Sequence, residues 1–529
     1  MGLPLSGVLI ASALSQTSRT RAFAWTPLPI SAALTLIAAW GAHSVPFEMT
    51  FGDWEPVSVT GAPLILAGSL PATTIVIAVA VAQLAASLHP REAELRPQHT
   101  TSALLFSALA LAALSNNLLT LIIGVGLVDI LSAIAGIQRG RDHRRVVADA
   151  MFRGASSALL VIALALYLSM GNSLYIPLGV LPERLMPFIT VSLALRFGLA
   201  PLRAVAGQFH DAHWTSEAGA IAGLIVLLKL PLLSAPELPD WFYGLALLTV
   251  ALAGLIGAIT RRRTTLRSAI SACALGLVIC SAALREPGMT AVAALSWLAG
   301  CQLVALSPRD NSAIGQRTAL LGRLIGALCL IGLPLTAGFI GRAGIAALWA
   351  DRGASGALLV AGLALGQALL TLCVLRITFA PVSATMYGAA LPSAGPLNLS
   401  IALSLFAIAV LGSHVLAFGL APTLAGAPDL ADALGRHSIS GWLAWALPIA
   451  IAVGVWWFEA RWSSLVAPAR QRIYDVVSLS WLHTVLDGAM NRLSLPLSRV
   501  FPVLEGGSAL LWTVVIVLMV VLLSRPGGP

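Results

Sequence analysis

Long apolar runs, separated by short polar connections, recur along almost the whole chain. At about 20 residues per bilayer crossing, they predict helices near 2–15, 28–42, 62–86, 101–115 and 117–137. A second set is predicted near 155–172, 184–202, 217–234, 241–259, 268–283 and 288–306, and a third near 320–350, 357–379, 398–420, 440–458 and 509–524. The fold class that follows is an all-α polytopic membrane protein with about 14–16 transmembrane helices. From Arg461 to Val500 the pattern changes, with Arg470, Arg472, Asp475, Asp487 and Arg492 spaced among apolar residues. That spacing suits an amphipathic segment lying along the membrane, although Pro468 and Pro496 also fit a loop.

Five regions are therefore expected. They are N-terminal helices (1–100), a central core (101–380), C-terminal helices (381–460), a lateral amphipathic segment (461–505) and a final anchor (506–529). Two spans are interrupted. The helix at 184–202 holds Arg196 and Pro201, and the helix at 320–350 holds Pro334 and Arg342. Proline removes an amide donor and clashes with the preceding turn. Corresponding broken spans in two halves of a chain suggest two inverted repeats around a transport path, although proline also occurs in membrane helices without function.

The connections give an orientation. Segments 16–22, 87–100, 138–153, 203–214, 260–267 and 307–323 hold most of the arginines, whereas 43–61 and 235–240 carry Glu48, Asp53, Glu55, Glu237 and Asp240. The positive-inside rule puts the first set in the cytoplasm and the N-terminus outside. The opening run, Gly2 to Leu14, lacks a basic start and reads as a retained helix rather than a cleaved signal.

Composition narrows the picture. The chain has 529 residues, 58% of them hydrophobic and only 10% charged, with a mean hydropathy of +0.91. No soluble domain of this size fits those values. The net charge of +9 lies in the loop clusters Arg139, Arg141, Arg144, Arg145 and Arg261, Arg262, Arg263, Arg267. It therefore follows the topology bias rather than marking a nucleic-acid surface. Cys273, Cys280, Cys301, Cys329 and Cys373 lie in apolar runs with no metal-ligand spacing. No phosphate loop, nucleophile elbow or metal cluster is found, so no catalytic residue, metal or cofactor is assigned to this chain.

The candidate chemistry is a sparse set of ionisable groups at membrane depth. A Lys or Arg at mid-span costs about 2.5–3.5 kcal/mol on insertion scales, which makes each a functional candidate. Arg196 is one. Lys229 is another, although near the end of its span it could also snorkel to the interface. Asp129 must be protonated, paired across helices or facing water, either as part of a path or as a structural ion pair. His210, His213 and Glu217 follow the first break and suit a cytoplasmic proton-uptake side, or simply a solvated loop face.

Several stretches resemble the antiporter-like, proton-translocating subunits of respiratory complex I, multisubunit cation/proton antiporters and membrane-bound hydrogenases. GLPLTAGFIGR at Gly332–Arg342, including Gly338, resembles that family's second broken helix, and RFGLAP at Arg196–Pro201 keeps its spacing from an intramembrane lysine to a proline. Asn117–Gly136, Ala148–Leu174 and Ser268–Gly276 resemble its fifth helix, its sixth helix and the helix after its ninth. The resemblance spans about residues 103–380. The departures are specific. Gly126 stands where the family carries a glutamate, with Asp129 one turn on, and arginines replace both lysines. A guanidinium does not readily relay a proton. The histidine and lysine of the family's next polar helix are absent from Thr290–Ser307.

The resemblance implies a proton path through Asp129, Arg196, Lys229 and Arg342, with Gln367 at the family's terminal titratable position. Arg342 also suits an interfacial anchor. It further implies a bacterial inner-membrane location, companion membrane subunits and redox chemistry confined to those companions. Three functions remain open: an ion-translocating subunit of a complex-I-like or antiporter-like assembly, a non-pumping scaffold paralogue, and a stand-alone secondary transporter.

Overall fold

The computed structural model describes residues 27–44, 48–51, 64–87, 96–138, 143–200, 214–260, 262–305, 313–379, 430–436 and 442–459, together with Ser6, Ile10 and Arg461. The expected helices near 2–15, 398–420 and 509–524, the lateral segment 461–505, Pro201, His210 and His213 lie outside them. The described chain is an all-α polytopic membrane protein. Its helices are α1 (Pro27–Ser44), α2 (Leu70–Ser87), α3 (Arg96–Leu114), α4 (Leu118–Gln138), α5 (His143–Ser169), α6 (Met186–Phe197), α7 (Ala218–Lys229), α8 (Asp240–Ile259) and α9 (Arg263–Ser281). They continue with α10 (Pro287–Val304), α11 (Ala313–Ile331), α12 (Ala337–Ile340), α13 (Ile345–Ala350), α14 (Gly353–Phe379) and α15 (Leu430–Gly435), and α16 (Trp442–Glu459). Among the described residues seven helices are long and apolar enough to cross a membrane, and five shorter apolar helices accompany them.

Helix α7 organises the packing. It touches α2, α3, α4, α6 and α10, and all twelve of its residues are buried. A helix apolar on every side is stable only when neighbours or lipid surround it. Close approach needs small residues: a Cβ on Gly223 would sit 2.9 Å from the Phe197 ring and 3.3 Å from Cδ of Arg196.

Three expectations change. The predicted helix at 62–86 begins only at Leu70, because Gly68 and Ser69 break the run and Pro71 suits a first turn. Residues before it form β2 (Leu64–Ala67), antiparallel to β1 (Glu48–Phe51). The loop expected at 138–153 is helical from His143, where Asp149 and Arg153 pair one turn apart. The loop expected at 307–323 is likewise helical from Ala313.

Helices α6 and α11 are each ended by a glycine. Helix α6 stops at Gly198, with φ 59°, and the amide of Leu199 donates to Ala194 O at 3.0 Å. Helix α11 stops at Gly332, with φ 74°, and Leu333 N donates to Leu328 O at 3.1 Å. This left-handed termination uses a conformation that glycine adopts without a Cβ penalty. The first helix thus ends before Pro201 is reached.

Candidate functional site

Arg196 lies on α6 one turn after Ser192, so both side chains share the face turned toward α5. From α4 comes Asp129, and from α5 come Ser156 and Ser157. The arginine makes a two-pronged contact, Nη1 to Asp129 Oδ1 at 2.7 Å and Nη2 to Oδ2 at 2.9 Å. Nη2 also donates to Ser157 Oγ at 2.7 Å and Nε to Ser156 Oγ at 3.1 Å. Ser157 in turn donates to Asp129 Oδ2 at 2.6 Å, and the Ser156 and Ser192 hydroxyls lie 2.8 Å apart. The Arg196 side chain is fully buried and that of Asp129 is 11% exposed.

A buried ion pair offsets its desolvation only when the geometry is good and the remaining polar atoms are bonded. Here both carboxylate oxygens and all three guanidinium nitrogens are engaged. Chemically, Asp129 and the serine hydroxyls are the groups in this cluster that can exchange a proton, while Arg196 supplies fixed charge.

Arg153 forms a second buried cluster, nearer the end where α4 finishes and α5 begins. It pairs with Asp149 at 2.6 Å, donates to Ser132 Oγ and reaches Ser216 O at 3.3 Å. Ser132 Oγ donates to Asp129 O at 3.0 Å, so the two clusters meet through one turn of α4. The sequence reading missed Arg153, because it fell in an expected loop. Its signal was the four-residue spacing from Asp149.

Lys229 points into the protein rather than snorkelling. It is 4% exposed, and Nζ donates to Ser115 O at 2.8 Å. Extended backbone roofs this end, where Leu66 bridges to Ser115 and Asn117 to Tyr175. Among the described residues no carboxylate pairs with Lys229. A cavity of about 50 Å³ adjoins it, walled by Leu121, Ile122, Leu160, Ala163, Ile189 and Val226. No hydrogen-bonded chain links Lys229 to Asp129 among the described residues.

Glu217 is buried, but it turns toward the second half of the chain rather than toward the Asp129 cluster. Ser271 Oγ donates to its Oε1 at 2.9 Å, and Trp297 Nε1 donates to Ser271 at 3.1 Å. At the second break, Arg342 Nη1 donates to Gln367 Oε1 at 2.8 Å and Nη2 to Leu330 O at 2.8 Å. Gln367 Nε2 donates to Ile331 O, and Trp445 Nε1 donates to Gly332 O at 2.9 Å. Gly338 packs against the carbonyl of Cys329, where a Cβ would not fit. Pro334 lies in the turn between Gly332 and Thr336. Arg342 is therefore tied to the broken helix itself rather than lying free at an interface. The structure thus joins Asp129 to Arg196, Arg342 to Gln367, Lys229 to the Ser115 carbonyl and Glu217 to Ser271.

No family model matches the chain, and no curated protein matches it by sequence. Solved structures do match. A chain in the structure of the Mrp complex from Dietzia sp. DQ12-45-1b aligns with all of this chain and 64% of its own length, at 14% identity and a TM-score of 0.67. A chain of the membrane-bound sulfane sulfur reductase, an archaeal respiratory membrane complex, aligns over 80% of this chain and 76% of its own, at 16% identity and 0.59. A chain of respiratory complex I from Thermus thermophilus with bound aureothin aligns over 80% of this chain and 100% of its own, at 18% identity and 0.58. This chain spans a little under two thirds of the length of the Mrp complex chain. At such identities the likeness is one of fold.

Proposed function

We propose that this chain, which has the fold of antiporter-like membrane subunits, is a membrane subunit of a complex-I-like or cation/proton antiporter-like assembly. On this reading it moves protons, or sodium ions, along an intramembrane polar axis driven by its companion subunits. It sits in the inner membrane of a bacterium with its N-terminus outside. The observation that carries the reading is the buried Asp129–Arg196 pair set among Ser156, Ser157 and Ser192. On this reading Asp129 is the proton carrier, and its two-pronged contact with Arg196 opens and closes during the cycle. Companions that shift α6 at its glycine break would alternate the two states. Arg196 acts as the movable fixed charge, Asp129 and Lys229 as the titrating groups, and Glu217 with His210 and His213 as the cytoplasmic uptake side. Arg342 is the second-half counterpart, and Pro201, Pro334 and Gly338 shape the two breaks.

The test is proton uptake by proteoliposomes containing the assembled complex. Asp129→Asn and Lys229→Ala are each expected to abolish uptake; unchanged pumping in both would remove these residues from the path. A specific observation favours the scaffold reading as the alternative: the cavity beside Lys229 is lined almost wholly by apolar side chains, and among the described residues no carboxylate pairs with the lysine. Under that reading the wild-type complex assembles only when the chain is present, yet neither substitution alters its ion movement.

A further inference from the structure

The carbonyl end of α11 is held in an unusual way. After the glycine break, the carbonyls of Leu330, Ile331 and Gly332 have lost their helical donors. Each is taken by a side chain from another part of the fold: Arg342, Gln367 and Trp445 respectively. Arg342 is the charged member, and among the described residues no carboxylate pairs with it. Its charge is balanced by the negative pole of α11 and by Gln367 Oε1. A Cβ on Gly332 would come within 3.3 Å of Arg342 Nη1, so the absence of a side chain there lets the guanidinium seat against the break.

Convergent carbonyl and amide oxygens at an unwound helix end are the donor set that coordinates small monovalent cations in transporters with broken helices. We propose that the end of α11 is a monovalent-cation site, formed by Leu330 O and Gln367 Oε1, with Gln367 held in place through Ile331 O, whose resident occupant is the tethered guanidinium of Arg342. The side chain fills the position that a dissolved cation would otherwise take. The second break is thereby closed and indifferent to the ions on either side of the membrane. The cation site itself does not depend on the transport reading, because its signature is stability rather than flux.

The experiment uses the full chain in its complex, purified in detergent and melted in choline chloride, sodium chloride, potassium chloride or low millimolar guanidinium. Wild type is expected to melt at one temperature in all four. Arg342→Ala is expected to melt at least about 3 °C lower in choline. Guanidinium should restore at least half of that loss, and sodium or potassium a smaller part. Sodium-22 should be retained by Arg342→Ala and not by wild type. Wild-type stability of Arg342→Ala in choline would overturn the proposal, as would a loss that no cation restores. If Arg342→Ala does not fold, Arg342→Lys and Arg342→Met replace it. The proposal requires the lysine variant to melt within about 2 °C of wild type and the methionine variant to fall below it; equal melting of the two would overturn it. Loss of transport in Asp129→Asn leaves these outcomes unchanged, so the two proposals fail separately.

Discussion

The two helix breaks use the same backbone solution and opposite electrostatics. At Gly198 and Gly332 a left-handed glycine ends the helix, and the following amide reaches back to a carbonyl five residues earlier. Near the first break, Arg196 lies inside its helix, two residues before the glycine, and meets a carboxylate from α4. Near the second, Arg342 comes ten residues after the glycine and meets only neutral oxygens. One cation is neutralised by a full opposite charge on a side chain from another helix. The other is balanced by dipoles that no ordinary pH change removes. The first arrangement has a chemical handle for switching and the second does not.

The largest expected effect tests that contrast directly. Asp129→Asn leaves Arg196 buried without its countercharge, a change worth about 3–5 kcal/mol of stability when a buried pair is broken. Adding Arg196→Gln to it should recover part of that loss, because the orphaned charge is then gone, with a coupling of about 0.5–3 kcal/mol in a double-mutant cycle of melting or denaturant unfolding. Simple addition of the two single losses would show that the pair is not the unit described here. An intermediate effect sharpens the place of Lys229. Lys229→Met removes an unpaired buried cation but strands Ser115 O, so the net change in melting should stay within about 1 kcal/mol. A loss as large as that of Asp129→Asn would mean that Lys229 holds the fold together. The smallest is Ser157→Ala. It removes one hydroxyl bonded to both members of the pair and should cost about 1 kcal/mol while leaving the pair intact. A larger loss would mean that the serine, rather than the two-pronged contact, holds Arg196 in place.

Much of this architecture was legible in the sequence. The apolar runs gave the class of fold and most helix positions, and the proline and glycine punctuation marked both interrupted spans. A partner for Asp129 was one of the alternatives its apolar surroundings left open, and the structure supplies Arg196 as that partner. Arg153 was lost because an arginine-rich stretch resembles a loop, although its charge is met one turn away by Asp149. The same bias misplaced the start of α5, and the apolar character of Leu64–Ala67 concealed a short strand.

What the sequence determined by itself was burial: which segments leave water and how few charges enter the membrane. What only the tertiary structure decided was direction. Lys229 and Ser115 are 114 residues apart, Arg196 and Asp129 are 67 apart, and Glu217 and Ser271 are 54 apart. A helix that is apolar on every side has no polar face to say which way it turns. Its rotation, and so the partner of each buried charge, is set by how small residues such as Gly223 let neighbouring helices close upon it.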